Sequence, residues 1–366
     1  EPTFSYKIDN PCRADLSCII KNKYGKVEMS TSFSSNHNFS KGFFYVADGT
    51  FNFYDTEKKT AYQDCYASLN AGKTLGIGNY DSANIIHSNG KFYLLVGTST
   101  SNRDHFYIVD AKTLYYENSA VVGANLSGLT ILNEQYGLVT GDGIRRIDLK
   151  SLNNVRIKNE RLLCFYNSII YNGKVLSNDT YKDESKVKYY DVNELIAAKE
   201  GEAPAVTELD IIQKQKINFV LAKDGNVYTL ESADNGCNIV KIKNDFTLEK
   251  VFANFQPAKG PYHSSPTIGM VASETENIIY LVSTDGAIYK YILGDSDSLK
   301  APFIAAESGV SITAPLQLNQ QSGELYVTYT EERKDESKIV VYSKDGKVLH
   351  TVDCGESVPS QILFNN

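Results

Sequence analysis

The sequence predicts an all-β fold, a seven-bladed β-propeller with four-stranded antiparallel blades. Three observations carry that reading. The chain is rich in strand-forming aromatics, with 25 Tyr and 16 Phe but no Trp among 366 residues, and such side chains pack well on a pleated surface. An apolar, Tyr-rich run followed by a second apolar run recurs seven times, at spacings of 38 to 52 residues. A period in the forties leaves room for four short strands and their turns, which is one blade. Helical periodicity is almost absent.

In the clearest copy, Asn89-Gly90-Lys91-Phe92-Tyr93-Leu94-Leu95-Val96 leads to Phe106-Tyr107-Ile108-Val109-Asp110. The equivalent anchors in the other copies are Tyr45, Leu138, Leu176, Tyr228, Tyr280 and Tyr326. Asn-Gly at 89–90 and 172–173 and Asp-Gly at 224–225 supply the positive φ angles of tight hairpins. An Asp at the end of the second run can accept hydrogen bonds from the N–H groups of the next turn. One stretch, residues 191–200, has a helical pattern and reads as an insertion in the fourth blade.

No low-complexity linker divides the chain, so residues 1–366 are expected to form a single propeller domain. An open ring would leave two bare strand edges. The first 40 residues contain more strand than the first blade needs, at Leu16-Ser17-Cys18-Ile19-Ile20 and Lys26-Val27-Glu28-Met29. One of these N-terminal strands is expected to close the ring against the blade that ends near Ile362-Leu363-Phe364.

The net charge of −7 and pI near 5.4 exclude a sequence-independent hold on nucleic acid or an anionic membrane, which needs a basic patch. No run of 18 apolar residues exists to span a bilayer. The chain opens Glu1-Pro2-Thr3, without Met or a signal segment. A mature or trimmed chain is expected, and any export signal or lipid anchor would have been removed upstream. The six cysteines form no C-x-x-C pair, and each lone one reads as a small buried hydrophobe. Cys12 and Cys18 are close enough in sequence to bridge, and both states stay open.

The last copy, Gly323-Glu324-Leu325-Tyr326-Val327-Thr328 followed by Ile339-Val340-Val341-Tyr342 and Asp345-Gly346-Lys347-Val348, resembles a blade of the YncE-like propellers. Their repeats carry a Tyr-Val-Thr-Asn strand before a Val-rich one; here Tyr329 stands where the family has Asn. Ile278-Ile279-Tyr280-Leu281-Val282 and Lys91-Phe92-Tyr93-Leu94-Leu95-Val96 are similar more loosely. Many such propellers are surface lipoproteins of Bacteroides-type bacteria, and relatives include one that captures cobalamin beside an outer-membrane transporter. The resemblance implies export, a lipid-anchored place on the outer surface, ligand capture and a transporter as partner. No cobalamin-contacting residue matches by motif.

The five histidines are scattered, with no H-x-x-x-H or H-E-x-x-H arrangement. There is no G-x-S-x-G elbow. Gly72-Lys73-Thr74 lacks the first Gly of a P-loop, Gly76-Ile77-Gly78 fails as a dinucleotide fingerprint, and Asp295-Ser296-Asp297 lacks the later ligands of a calcium loop. No catalytic residue, metal or cofactor is therefore expected. Carboxylates brought together from different blades are beyond what sequence can pair.

By analogy with the fold, a ligand sits on the face formed by the connections between blades and the turns between each blade's second and third strands. Between-blade candidates include Asn36-His37, Tyr80, Tyr166, Lys216 with Asn218, and Tyr262 with His263; within-blade candidates include Asp142, Asn235, and Tyr329 with Glu331 and Arg333. Tyr80, Tyr166, Tyr262 and His263 are the expected ligand-binding residues, since each pairs a flat apolar face with a polar tip. The leading expectation is a non-catalytic binder of a small molecule or glycan. A scaffold subunit of an outer-membrane complex and a glycan hydrolase or lyase are the alternatives.

Overall fold

Strand pairing follows the repeat. The computed structural model describes residues 13–365, apart from 23–24, 35–37, 71–74, 76–81, 98–102, 124–125, 127, 162–167, 179–184, 203, 214–217, 259–268 and 332–335. It has seven blades of four-stranded antiparallel sheet, arranged in chain order around a ring. Blade two runs from the innermost strand Ser82–Ser88 through Lys91–Gly97 and Asp104–Asp110 to Tyr116–Gly123. Blades four (Ile169–Tyr171 to Val206–Gln213) and five (Val220–Leu221 to Leu248–Phe255) repeat that order.

Three blades depart from the plain pattern. In blade three the extended segment Tyr136–Asp148 lies between Gly128–Ile131 and Asn154–Arg161. It is folded into two strands, because the Leu149 N–H donates to the Gln135 carbonyl at 2.8 Å. A straight strand would separate these residues by about 45 Å. The fold-back falls at Gly141 and Gly143, whose φ angles of 153° and 104° suit glycine. In blade six, outside Ile288–Ile292, the fourth strand is reduced to a bridge between Ile288 and Ile304. The Ser298 hydroxyl accepts the Ile292 N–H at 2.9 Å and covers more of that edge. In blade seven the innermost strand is split into Val310–Ile312 and Gln317–Leu318, both pairing with Leu325–Glu331. Pro315 lies in the break, where a ladder donor is lost.

Ring closure corrects the sequence expectation. The C-terminal strand Pro359–Leu363 is the innermost strand of blade one and pairs with Gly42–Ala47, which continues to Thr50–Asp55 and Thr60–Tyr62. The N-terminal strands Arg13–Asn22 and Gly25–Ser34 pair with each other and, among the described residues, with no blade. The connection into the inner strand of blade one is therefore residues 356–358, not Asn36-His37. Cys12 and the 35–37 segment lie outside the described residues, as does the test of a Cys12–Cys18 bridge.

Alternation of side chains sends successive residues of each second strand to opposite neighbours. Phe92 packs toward blade one and Tyr93 toward blade three; Leu325 faces blade six and Tyr326 faces blade one. Among the described residues the apolar core is divided into seven clusters, one at each blade junction. The same alternation shifts the first anchor by one. Phe44, not Tyr45, is the equivalent of Tyr93, because Gly42 opposes Asp55 as Lys91 opposes Asp110. Tyr45 turns back toward blade seven instead. Phe43 and Tyr326 meet across that closing junction with ring centroids 4.9 Å apart, edge to face, a geometry worth about 0.5–1.5 kcal/mol beyond burial.

The strand-ending aspartates do what their position suggests. Asp148 Oδ1 accepts from the Lys150 and Ser151 N–H groups at 3.1 and 2.7 Å and from the Ser151 hydroxyl at 2.9 Å. Asp55, Asp110 and Asp191 close the same turn in blades one, two and four. In blade four the turn starts the expected helix, Val192–Ala197, with Asp191 as its N-cap. The Ser151 N–H bond holds the Asp148 carboxyl below its ordinary range, outweighing the opposing effect of desolvation. Its contribution is thus fully present above the unfolded value of about 3.9, and is lost as pH falls through the lower folded value. Asp148→Ala should cost about 1 kcal/mol at neutral pH, a gap that closes in acid. Urea melts at pH 7 and pH 2.5 check this; an unchanged gap would place the effect elsewhere.

Candidate functional site

The chain alternates between two faces. One carries the turns between first and second and between third and fourth strands, including the aspartate turns. The other carries the connections between blades and the turns between second and third strands. By sequence position Tyr80, Tyr166, Tyr262 and His263 fall in the connections that leave blades one, three and five, and those segments lie outside the described residues.

What the structure describes are the feet of these connections. Gln213, at the end of blade four, is 1% exposed. Its Oε1 accepts from Asn178 Nδ2 at 2.7 Å, and its Nε2 donates to Thr229 Oγ1 at 2.9 Å and to the Leu230 carbonyl at 3.0 Å. Thr229 in turn donates to the Asn218 carbonyl at 3.0 Å. The Asn218 carboxamide then donates to the Met270 carbonyl at 2.6 Å and accepts the Met270 N–H at 3.0 Å. This chain of bonds joins blades four, five and six across both ends of the 214–217 connection. Asn218 is therefore a brace rather than the free loop residue the sequence suggested. Asp104 holds the Leu126 N–H in the connection from blade two, and Thr130 holds Ser168 in the connection from blade three.

Buried polar side chains crowd this half of the molecule. Asn52, Asp104, Thr140, Asn178, Gln213 and Ser337 are all at most 2% exposed and lie toward the connection face, Thr229 and Thr328 are equally buried near mid-strand, and Asp55 and Ser273 are the counterparts at the other end. The hydroxyls of Ser177 and Thr328 have no hydrogen-bond partner in the protein. Burying a polar group costs roughly 1–3 kcal/mol when it is left unpaired, so these two hydroxyls weaken the core, whereas bonds such as those of Gln213 and Thr229 offset the burial of the others.

A cleft of about 460 Å³ opens on the same face between blades six and seven. Its walls are the turn of blade six with Ser283, Thr284 and Asp285, and the connection to blade seven with Glu307 and Ser308; Ala258, Val282 and Ile312 line its apolar parts. The chain runs from Ala258 directly into the segment carrying Tyr262 and His263. Asp285 Oδ1 accepts from the Ser283 hydroxyl and from the Ala287 N–H. The Ser283 bond, with the Ala287 N–H second, holds the Asp285 carboxyl below its usual range. Glu307 stands 4.0 Å from Lys338 Nζ, an exposed pairing at the limit of contact. Sequence reading missed this cleft, since Ser283-Thr284-Asp285-Gly286 has only the signature of a turn.

Two other expectations are revised. Tyr329, expected on a within-blade loop, is 6% exposed in the junction of blades six and seven, with its hydroxyl 3.0 Å from that of Tyr342. Cys65 and Cys237 are buried, as a reading of small apolar fillers requires. Burial pushes the Cys65 and Cys354 thiols up to about 12 and the Cys237 thiol up to about 11, so they stay protonated at neutral pH. Among the described residues no group of three His, Cys, Asp or Glu side chains is placed to hold a metal ion.

A family model described as a domain of unknown function, DUF5074, matches residues 39–365. The chain belongs to the DUF5074 family. The match begins after the N-terminal strand pair and takes in the closing strand, so it coincides with the propeller. No curated protein matches the chain. Among solved structures, this DUF5074 chain is similar to a functionally unknown protein from Desulfotomaculum acetoxidans DSM 771, with 14% identity and a TM-score of 0.56 over 89% of this chain and 99% of that one. It is also similar to the dihydro-heme d1 dehydrogenase NirN in complex with DHE, with 11% identity and a TM-score of 0.53 over 89% of this chain and 75% of that one. At such identities the likeness is one of fold.

Proposed function

We propose that this propeller captures a small molecule or glycan on its connection face and does not turn it over. One observation carries the reading: most of the buried polar side chains and the polar cleft are gathered under that one face. Unpaired buried polar groups such as Ser177 and Thr328 are retained where a fold serves function, and bracing the feet of connections pre-organises what the connections display. Tyr80, Tyr166, Tyr262 and His263, carried by connections of that face, are the proposed contacts. The YncE-like likeness of the last blade supports export and a lipid-anchored place at the outer surface beside a transporter. Such a corrin- or sugar-sized ligand fits aromatic stacking with polar edges.

A thermal-shift screen of cobalamin, oligosaccharides and small metabolites tests this. A ligand at 100 times its Kd should add about 2.7 kcal/mol of stability. Tyr262→Ala should weaken binding by about 1–3 kcal/mol and leave the melting of the free protein nearly unchanged. A ligand whose binding ignores every connection-face substitution would overturn the site, and chemical conversion of the bound ligand would overturn the absence of turnover.

A further inference from the structure

We propose that the cleft between blades six and seven recognises the paired hydroxyls of an uncharged saccharide and rejects uronate-containing ones. The inference rests on the capture reading and names its ligand class. The volume of about 460 Å³ suits one or two sugar rings. Its polar side chains are the carboxylates of Asp285 and Glu307 and the hydroxyls of Ser283, Thr284, Ser308 and Ser311. Ionised carboxylates only accept hydrogen bonds, so they match ligands that donate, and neighbouring hydroxyls of a sugar present two donors side by side.

Asp285 is poised for this. Its Oδ1 is engaged by Ser283 and Ala287, which fixes the carboxylate plane and leaves Oδ2 for a ligand. Ala258, Val282 and Ile312 offer the apolar surface on which the C–H face of a sugar rests. A bare cation is the poorer match, because one Asp285 oxygen is already committed and Glu307 faces Lys338. A uronate would bring its own carboxylate against Asp285 and against Glu307, whose charge Lys338 offsets only at the 4.0 Å limit of contact, and like charges brought together across an interface oppose binding.

Binding of the full chain to an array of maltohexaose, cellohexaose, xylohexaose, chitohexaose and hexagalacturonate tests the proposal, followed by calorimetry on the best neutral binder. A neutral hexamer should bind at least tenfold more tightly than hexagalacturonate. Asp285→Asn with Glu307→Gln should cut that preference to about threefold or less, while the double variant keeps its melting temperature within about 3 °C. Tighter binding of hexagalacturonate, or a preference untouched by the double variant, would overturn the inference and leave the capture reading standing. Binding of no saccharide, with cobalamin or another small molecule shifting the melt through Tyr262, would overturn the saccharide class alone. Binding of nothing by the connection face would remove both.

Discussion

Deleting residues 359–366 should abolish the folded monomer, whereas deleting residues 1–38 should leave the melting temperature of the propeller nearly unchanged. The C-terminal strand supplies the inner edge of blade one, so its loss bares the ladder of Gly42–Ala47 and opens the ring. Bare edges of this kind recruit other chains, and the truncated protein should be recovered mostly as aggregate. It also uncovers the cluster in which Ile362 packs with Tyr45 and Tyr326. A milder variant keeps the result interpretable. Ile362→Ala removes a side chain only 3% exposed and should cost about 2–5 kcal/mol, read from the thermal midpoint of soluble protein. A stable, monomeric chain lacking 359–366, or a collapse caused by the N-terminal deletion, would mean that the ring is closed from the other end.

That prediction turns on the part of the fold least legible in the sequence. The seven copies could be read because each blade must bury two faces against its neighbours, which forces an apolar run at a regular period. Closure carries no such signal. Leu16-Ser17-Cys18-Ile19-Ile20 and Ile362-Leu363-Phe364 are equally plausible strands, and only spatial pairing distinguishes them. The one-residue slip at Phe44 has a related cause. In Gly42-Phe43-Phe44-Tyr45-Val46 every residue is apolar, so nothing in the pattern marks which faces which neighbour. The connection face was legible as a set of loops between blades, and the placement of Tyr80, Tyr166, Tyr262 and His263 in connections follows from the strand order. The cleft was not, because Thr284, Asp285, Glu307 and Ser308 come from two segments whose proximity depends on how blades six and seven pack. Gln213 was equally hidden: a glutamine at a strand end reads as solvated until its three buried partners are seen.

Those three partners make Gln213 the side chain whose replacement should do most damage outside the apolar core. Gln213→Ala removes hydrogen bonds to Asn178, Thr229 and Leu230 at a site 1% exposed. It breaks the bond from the Asn178 amide and the bond to the Leu230 carbonyl, and it opens a void. The cavity and the lost buried bonds together cost about 3–5 kcal/mol. Asn178→Ala should be similar in kind, since it breaks the same bond to Gln213 Oε1 from the other side. Made together, the two changes should cost less than their sum by about 1 kcal/mol or more, since both remove the same bond between Asn178 and Gln213. A double-mutant cycle by urea denaturation measures that coupling. The same variants report on function through a different route. With the foot of the 214–217 connection released, a ligand of the connection face should bind more weakly even at temperatures where the propeller is still folded, because ordering the connection would then oppose binding. Additive losses in the cycle would show that the bonds from blade four to blade five act independently. Unchanged ligand affinity in a folded Gln213→Ala protein would confine the network to stability.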